Sequence, residues 1–255
     1  WDCAQEKQAL RFIPDGVLVV EDGKIVESGA GSEILVKHPE AQVEDFSGYL
    51  IVPGFVDVHL HYAQTRIIGS FGRQLLEWLQ TYTFPEELKF TSKDYADEVA
   101  AVFFQEMFKN GTTTVQSFAT THPNSVVAFF EEARRQGALA LCGLTGIDRE
   151  GTAPDAYRDT PQGFYDGSKE LLERFHQVDR CLYSIAPRFA FGSTHEQLKM
   201  AGRLAEEHPD CWIQTHLSEN PAEVASVLEF FPDCQDYLGV YEKYGLVRKR
   251  FVAGH

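Results

Sequence analysis

The sequence predicts an α/β protein built on a parallel sheet, with a small β module in front of it. Three observations carry this. Apolar β-like runs alternate with helical patterns from about residue 50 onward, three of those runs finish in histidine, and the first 50 residues hold only short β runs broken by glycine turns.

The module, residues 1–50, contains runs at 16–20, 24–28 and 49–52. Asp22-Gly23 separates the first two and is a strong hairpin signal, because a two-residue turn needs positive φ at both positions. Gly29-Ala30-Gly31 closes the second run.

In residues 51–255 the strand candidates are 51–61, 112–118, 138–143, 181–187, 211–216 and 251–255. Helical patterns fill the gaps and carry start and stop signals. Thr194 with Gln197 three residues on reads as a capping box. Asn220-Pro221 with Glu223 offers a cap, a proline for the first helical position and a carboxylate that can reach back. Gly137 and Gly245 stand where helices should end, and Asn110-Gly111-Thr112 reads as a helix stop rather than a glycosylation sequon. Such alternation gives a parallel sheet, either open and doubly wound or closed into a (β/α)8 barrel. Six strands are visible, two short of a barrel. The first residue is Trp1 and the last run, Arg250 to His255, has no element after it, so the chain reads as a fragment of a longer protein.

The 255 residues are 44% hydrophobic and 13% aromatic, enough for a sizeable core. The net charge of −15 repels phosphate backbones and anionic lipid, which excludes nucleic acid and membrane surfaces as natural partners. No apolar stretch is long enough to span a bilayer, and no secretion signal is visible. Cys3, Cys142, Cys181, Cys211 and Cys234 are odd in number, scattered, and form no CxxC pair, as expected of thiols in the cytoplasm.

The most informative segment is Pro53-Gly54-Phe55-Val56-Asp57-Val58-His59-Leu60-His61. Side chains alternate along a strand, so His59, His61 and Asp57 point to one face, and two imidazoles there can ligate one metal ion. A second apolar run ends in His216, with Glu219 on the loop that follows, and a third ends in His255. Catalytic groups of strand-helix barrels sit at such strand ends. One His-x-His is weak evidence, but three strands finishing in histidine together read as a metal site. Imidazole ligands suit zinc, with Fe2+ as the alternative, and a catalytic zinc keeps a position open for water. Glu219 is then the proton shuttle, a reading preferred over the alternative of an N-terminal helix carboxylate beside Asn220-Pro221. His38, His122, His176, His195 and His208 lie in polar contexts and read as solvated side chains.

Pro-Gly-Phe-Val-Asp-x-His-x-His behind a small β module resembles the metal motif of the amidohydrolase superfamily. Five further runs resemble its guanine deaminase branch: His61-Tyr62-Ala63-Gln64, Leu75-Leu76-Glu77-Trp78-Leu79 through Tyr82-Thr83-Phe84-Pro85, Asn110 to Thr114, Ala186-Pro187-Arg188-Phe189, and Thr215 to Glu219. The resemblance runs over nearly the whole chain. It implies a TIM-type (β/α)8 barrel truncated after about six strands, and makes the module part of a split β-sandwich domain. It implies one zinc per subunit on His59, His61, His216 and His255, with a ligating aspartate expected beyond residue 255. It implies hydrolytic deamination of guanine to xanthine and ammonia, with Glu219 catalytic. His61, Gln64, Trp78, Arg188, Phe189, His216 and Glu219 then contact the substrate, and Phe84 joins Trp78 as an aromatic wall. A cytoplasmic homodimer in purine catabolism or salvage completes the picture.

Two readings compete, a relative acting on another amino-substituted heterocycle and a non-catalytic barrel relative. The run 181–189 contains no lysine that could be carboxylated to bridge two metals, which favours a single ion. A cytidine-type zinc site is matched only superficially by His38-Pro39-Glu40 and fails for want of CxxC.

Overall fold

The computed structural model describes residues 11–72 and 74–255, so the expectations placed on Trp1 and Cys3 fall outside the described residues. The chain divides into two compact units, Trp1–Pro53 and Gly54–His255.

The first unit holds an antiparallel hairpin, β1 (Gly16–Glu21) and β2 (Lys24–Ala30), followed by the short helix α1 (Gly31–Lys37). Asp22 and Gly23 have φ of 49° and 72°, the double left-handed turn that the Asp-Gly pair predicts. The expected run at 49–52 is not a strand. Tyr49, Leu50, Ile51 and Val52 have no ladder partner among the described residues and stand exposed, and an apolar sequence without a partner does not make a strand.

The second unit is a parallel sheet in the order β3 (Phe55–His61), β4 (Thr112–Phe118), β5 (Leu139–Gly143), β7 (Cys181–Pro187), β8 (Trp212–His216) and β9 (Phe251–Gly254), nearly closed into a barrel. A two-residue strand, β6 (Thr145–Gly146), extends the pairing along β7. The first barrel strand therefore starts at Phe55 rather than at residue 51. Between the strands run α2 (Lys93–Lys109), α3 (Pro123–Gln136), α4 (Pro161–Phe175), α5 (His195–Glu207), α6 (Pro221–Phe230) and α7 (Tyr237–Lys243).

Helix α3 shows why these segments fold as they do. Val126, Phe129, Phe130 and Ala133 recur at helical spacing and are all buried, Pro123 opens the helix, and Gly137 ends it with φ of 71°. Phe104, Phe129, Phe130 and Phe175 join one aromatic core between the helices and the sheet. The cap at Asn220 forms in full, with Glu223 reaching back. That at Thr194 is only half made. Thr194 accepts from the Gln197 backbone, but Asp148 takes the Thr194 N–H and the Gln197 side chain donates to Asp159 instead.

Four of the five remaining histidines are not simply solvated, and the first, His38, has Nε2 2.8 Å from Glu27 Oε2. His176 Nδ1 accepts from the Tyr183 N–H at 2.9 Å, so its Nε2 carries the proton and faces Asp210 at 3.1 Å. His195 bonds the Tyr244 hydroxyl, and His122 lies edge-on to Tyr157.

Candidate metal centre and substrate pocket

Four imidazoles converge at the C-terminal end of the sheet. Strand β3 ends in the alternating pair, β8 supplies His216, and His255 follows β9. The His59 ring centroid lies 4.8 Å from that of His216 and 5.2 Å from that of His255, and His61 stands 4.9 Å from His216. One potential ligand atom each from His59, His61 and His216 falls within a 4.8 Å cluster, and so does one each from His216, Glu219 and His255. Phe118, at the end of β4, stacks on both His61 and His216 and walls the cluster from behind.

The protonation pattern fits a cation. His216 Nδ1 sits 2.7 Å from the Arg188 carbonyl, which can only accept, so the neutral ring keeps a bare lone pair on Nε2. That lone pair faces His61 Nε2 at 2.9 Å. His59 Nδ1 and His61 Nδ1 are buried without hydrogen-bond partners. Burial, reinforced by the neighbouring imidazoles and Arg188, holds His61 and His216 well below the ordinary histidine range, and burial then His255 lowers His59. Neutral rings with converging lone pairs are the donor set of a metal site.

Glu219 lies on the loop after β8, with Oε1 3.6 Å from His255 Nε2. Ser218 turns the chain with φ of 58°, and the buried Glu223 accepts from the backbone N–H groups of Glu219 and Asn220 at 2.9 and 3.1 Å. Burial raises the Glu219 carboxyl above the usual carboxylate range, against the pull of His255.

A cavity of about 220 Å³ opens onto the cluster, lined by Gln64, Leu75, Trp78, Arg188, Phe189 and Glu219 beside the histidines. Sites for drug-sized ligands run to about 300–1,000 Å³, so this one suits a single small ring system. Trp78 lines the cavity and is fixed by its indole N–H donating to the Ser70 carbonyl. Phe84 does not line it. It is fully buried in a second core cluster with Leu79, Ile147 and Tyr157, behind Arg188, whose guanidinium carbon lies 5.5 Å from its ring. Arg188 is not a surface ion-pair residue. It is 2% exposed and pairs with the buried Glu87, Nη1 to Oε2 at 2.9 Å. Burial presses the guanidinium down, and Glu87 with Tyr157 outweighs it and holds the group above its ordinary value.

Glu87, Tyr157, Phe118 and Glu223 have no place among the expected site residues. Glu87 follows Phe84-Pro85-Glu86 and reads as a first-turn helix carboxylate, so nothing local marks it as buried.

Imidazoles gathered at the C-terminal ends of parallel strands, with a carboxyl and a small cavity beside them, make a candidate metal centre on a nearly closed parallel sheet. The amidohydrolase family model matches residues 50–255, and the chain belongs to that family. Among its members, guanine deaminase of Escherichia coli (strain K12) is 46% identical over 248 residues, which is 97% of this chain and 56% of that protein. The crystal structure of guanine deaminase from Bradyrhizobium japonicum superposes with a TM-score of 0.92 at 48% identity, over 94% of this chain and 51% of that one. A guanine deaminase from C. acetobutylicum with guanine bound in its active site gives a TM-score of 0.88 at 31% identity, over 95% and 57% of the two chains. The chain thus spans a little over half the length of the curated relatives it matches.

Proposed function

We propose that this chain carries the metal- and purine-binding machinery of a guanine deaminase, which hydrolyses guanine to xanthine and ammonia. One observation carries the reading: His59, His61, His216, His255 and Glu219 line the same small cavity as Gln64 and Arg188. The relatives named above support it. His59, His61, His216 and His255 would hold one ion, zinc by ligand type with Fe2+ as the alternative. The ion's chemistry there would be to make water a nucleophile near neutral pH.

The side chains do the rest. Arg188 presents guanidinium donors to a carbonyl oxygen and ring nitrogen of the base, and Gln64 offers an amide that both donates and accepts. Phe189 and Trp78 pack on the faces of the ring, while His61 and His216 border it at the metal side. The attacking water gives up one proton, which N3 takes up as the oxygen bonds C2. The proton of the new C2 hydroxyl then passes to the amino group, which leaves as ammonia as its bond to C2 breaks and the carbonyl forms. Glu219, with its raised pKa, is placed to move both protons. We assign the protein to the cytoplasm, where Cys142, Cys181, Cys211 and Cys234 stay free, and to a homodimer. No described helix is long and apolar enough to cross a membrane.

The test is ammonia release by the intact zinc-loaded protein from guanine, adenine, cytosine and a pterin, with metal content measured in parallel. Guanine should be turned over fastest and chelation should abolish activity. Faster release from any of the other three would replace guanine as the substrate.

A further inference from the structure

The Glu87 carboxylate lies outside the metal cluster and is not among the residues lining the cavity, yet four site donors end on it. Oε1 accepts from Gln64 Nε2 at 2.9 Å and from Arg188 Nη2 at 3.3 Å. Oε2 accepts from Arg188 Nη1 at 2.9 Å and from the Tyr157 hydroxyl. A carboxylate has about four lone-pair sites, and here all are taken. The donors come from three parts of the unit, the turn after β3, the loop before α4 and the end of β7, and meet the acceptor on a fourth, residues 75–91. Glu87 itself is 0% exposed, and among the described residues its one ion-pair partner is Arg188.

We infer that Glu87 is a positioning residue that fixes the hydrogen-bonding polarity of the substrate pocket through Arg188 and Gln64; the inference rests on the guanine reading above. A carboxylate only accepts, so the Gln64 amide must turn its nitrogen towards Glu87, and this leaves Oε1 free for the ligand. The bidentate fork on Glu87 fixes the plane of the Arg188 guanidinium, so its remaining N–H donors point in one direction. The pocket therefore offers donors from Arg188 beside an acceptor from Gln64. That pattern matches a purine with a 6-oxo group, and leaves the donors unpaired against a purine that lacks it. A buried donor left without an acceptor is the basis of strong discrimination between such analogues.

Glu87→Gln is nearly isosteric but replaces one oxygen by an NH2 donor. It then faces Arg188, Gln64 or Tyr157 donor to donor, and the fork breaks. The assay compares guanine with 2-aminopurine, which carries the same C2 amine and no 6-oxo group. Wild type should strongly prefer guanine in kcat/KM. In Glu87→Gln that preference should shrink at least tenfold, through a higher KM for guanine, with zinc content unchanged. In an Arg188→Ala background the same substitution should change the preference less than threefold, because its route runs through Arg188. Glu87→Asp keeps the charge and should retain more of the preference than Gln does. If Glu87→Gln does not fold, the preference of Glu87→Asp is compared with wild type instead, and an unchanged ratio overturns the inference. It also falls if Glu87→Gln lowers both substrates equally, or if its full effect persists without Arg188. A wild-type protein that does not deaminate guanine defeats the proposed function itself, a separate outcome read before any variant is made.

Discussion

Gly254 is expected to be as important to the metal centre as the histidines beside it. A Cβ added there would stand 2.1 Å from His59 Cε1, 2.5 Å from Nε2 and 2.6 Å from Nδ1. Ordinary contact begins near 3.4 Å, so in Gly254→Ala the imidazole must withdraw by about 1.3 Å. Metal–ligand distances hold to about ±0.2 Å, so a ring displaced that far is no longer a ligand. The other relaxation is for β9 to retreat, and that fails as well. Gly254 pairs in register with His216, and its carbonyl accepts from Leu217 N–H at 2.9 Å, so moving β9 pulls on a second imidazole. The backbone itself does not object, because Gly254 is not among the glycines with positive φ. The Gly→Ala change should even favour folding slightly, by about 0.4–1 kcal/mol through the unfolded chain.

Disturbing mere outer-shell partners of a metal costs about 10–100-fold in affinity, and losing a ligand should cost at least that. The assay is zinc retained by the intact protein after dialysis against graded chelator, read by mass spectrometry beside a thermal melt. Gly254→Ala should lose its metal at 10–100-fold lower chelator strength than wild type and lose turnover with it. Gly239→Ala, where a Cβ meets only Asp236 Oδ1 at 3.4 Å and Cys234 Cβ at 4.0 Å, should behave as wild type. A Gly254→Ala protein that holds zinc normally and turns over within threefold of wild type would refute the packing argument.

Two further substitutions separate the roles within the pocket. Glu219→Gln should keep the metal and lower turnover roughly 10²-fold, the usual loss for a general acid–base, whereas Gln64→Ala should raise KM for guanine at full metal content. Loss of zinc in either variant would contradict the division between ligands and substrate contacts. Asp159 gives a pH effect remote from the metal. Burial pushes its carboxyl up to about 8, and its Oδ2 is sealed without a partner. Between about pH 4 and 8 the folded state keeps a proton that the unfolded chain has lost, so this group's share of stability falls as pH rises through that window. Asp159→Asn should flatten the fall and raise stability at pH 8 by a few kcal/mol at most. An unchanged slope of melting temperature against pH would show that Asp159 is ionised in the fold.

The parts of this molecule that could be read from sequence are those specified by short-range chemistry. Period-two alternation put His59 and His61 on one face, the cap at Asn220 formed as its residues require, and Asp22-Gly23 made its turn. What could not be read depends on partners distant in sequence. Residues 49–52 have strand composition and no ladder partner among the described residues, and Gln197 abandoned its cap for an aspartate 38 residues away. Glu87 is the sharpest case, since two adjacent glutamates after a proline suggest a solvated first turn. Its burial becomes necessary only once Arg188, 101 residues later, brings a buried guanidinium against it. A buried cation without a counter-charge costs about 3–5 kcal/mol, a large part of the stability of any domain, so a buried arginine that lines the cavity demands a carboxylate that does not. Reading one residue of such a pair as functional therefore obliges a search for the other. No local pattern will reveal it, because its only signature is the place where the chain brings it.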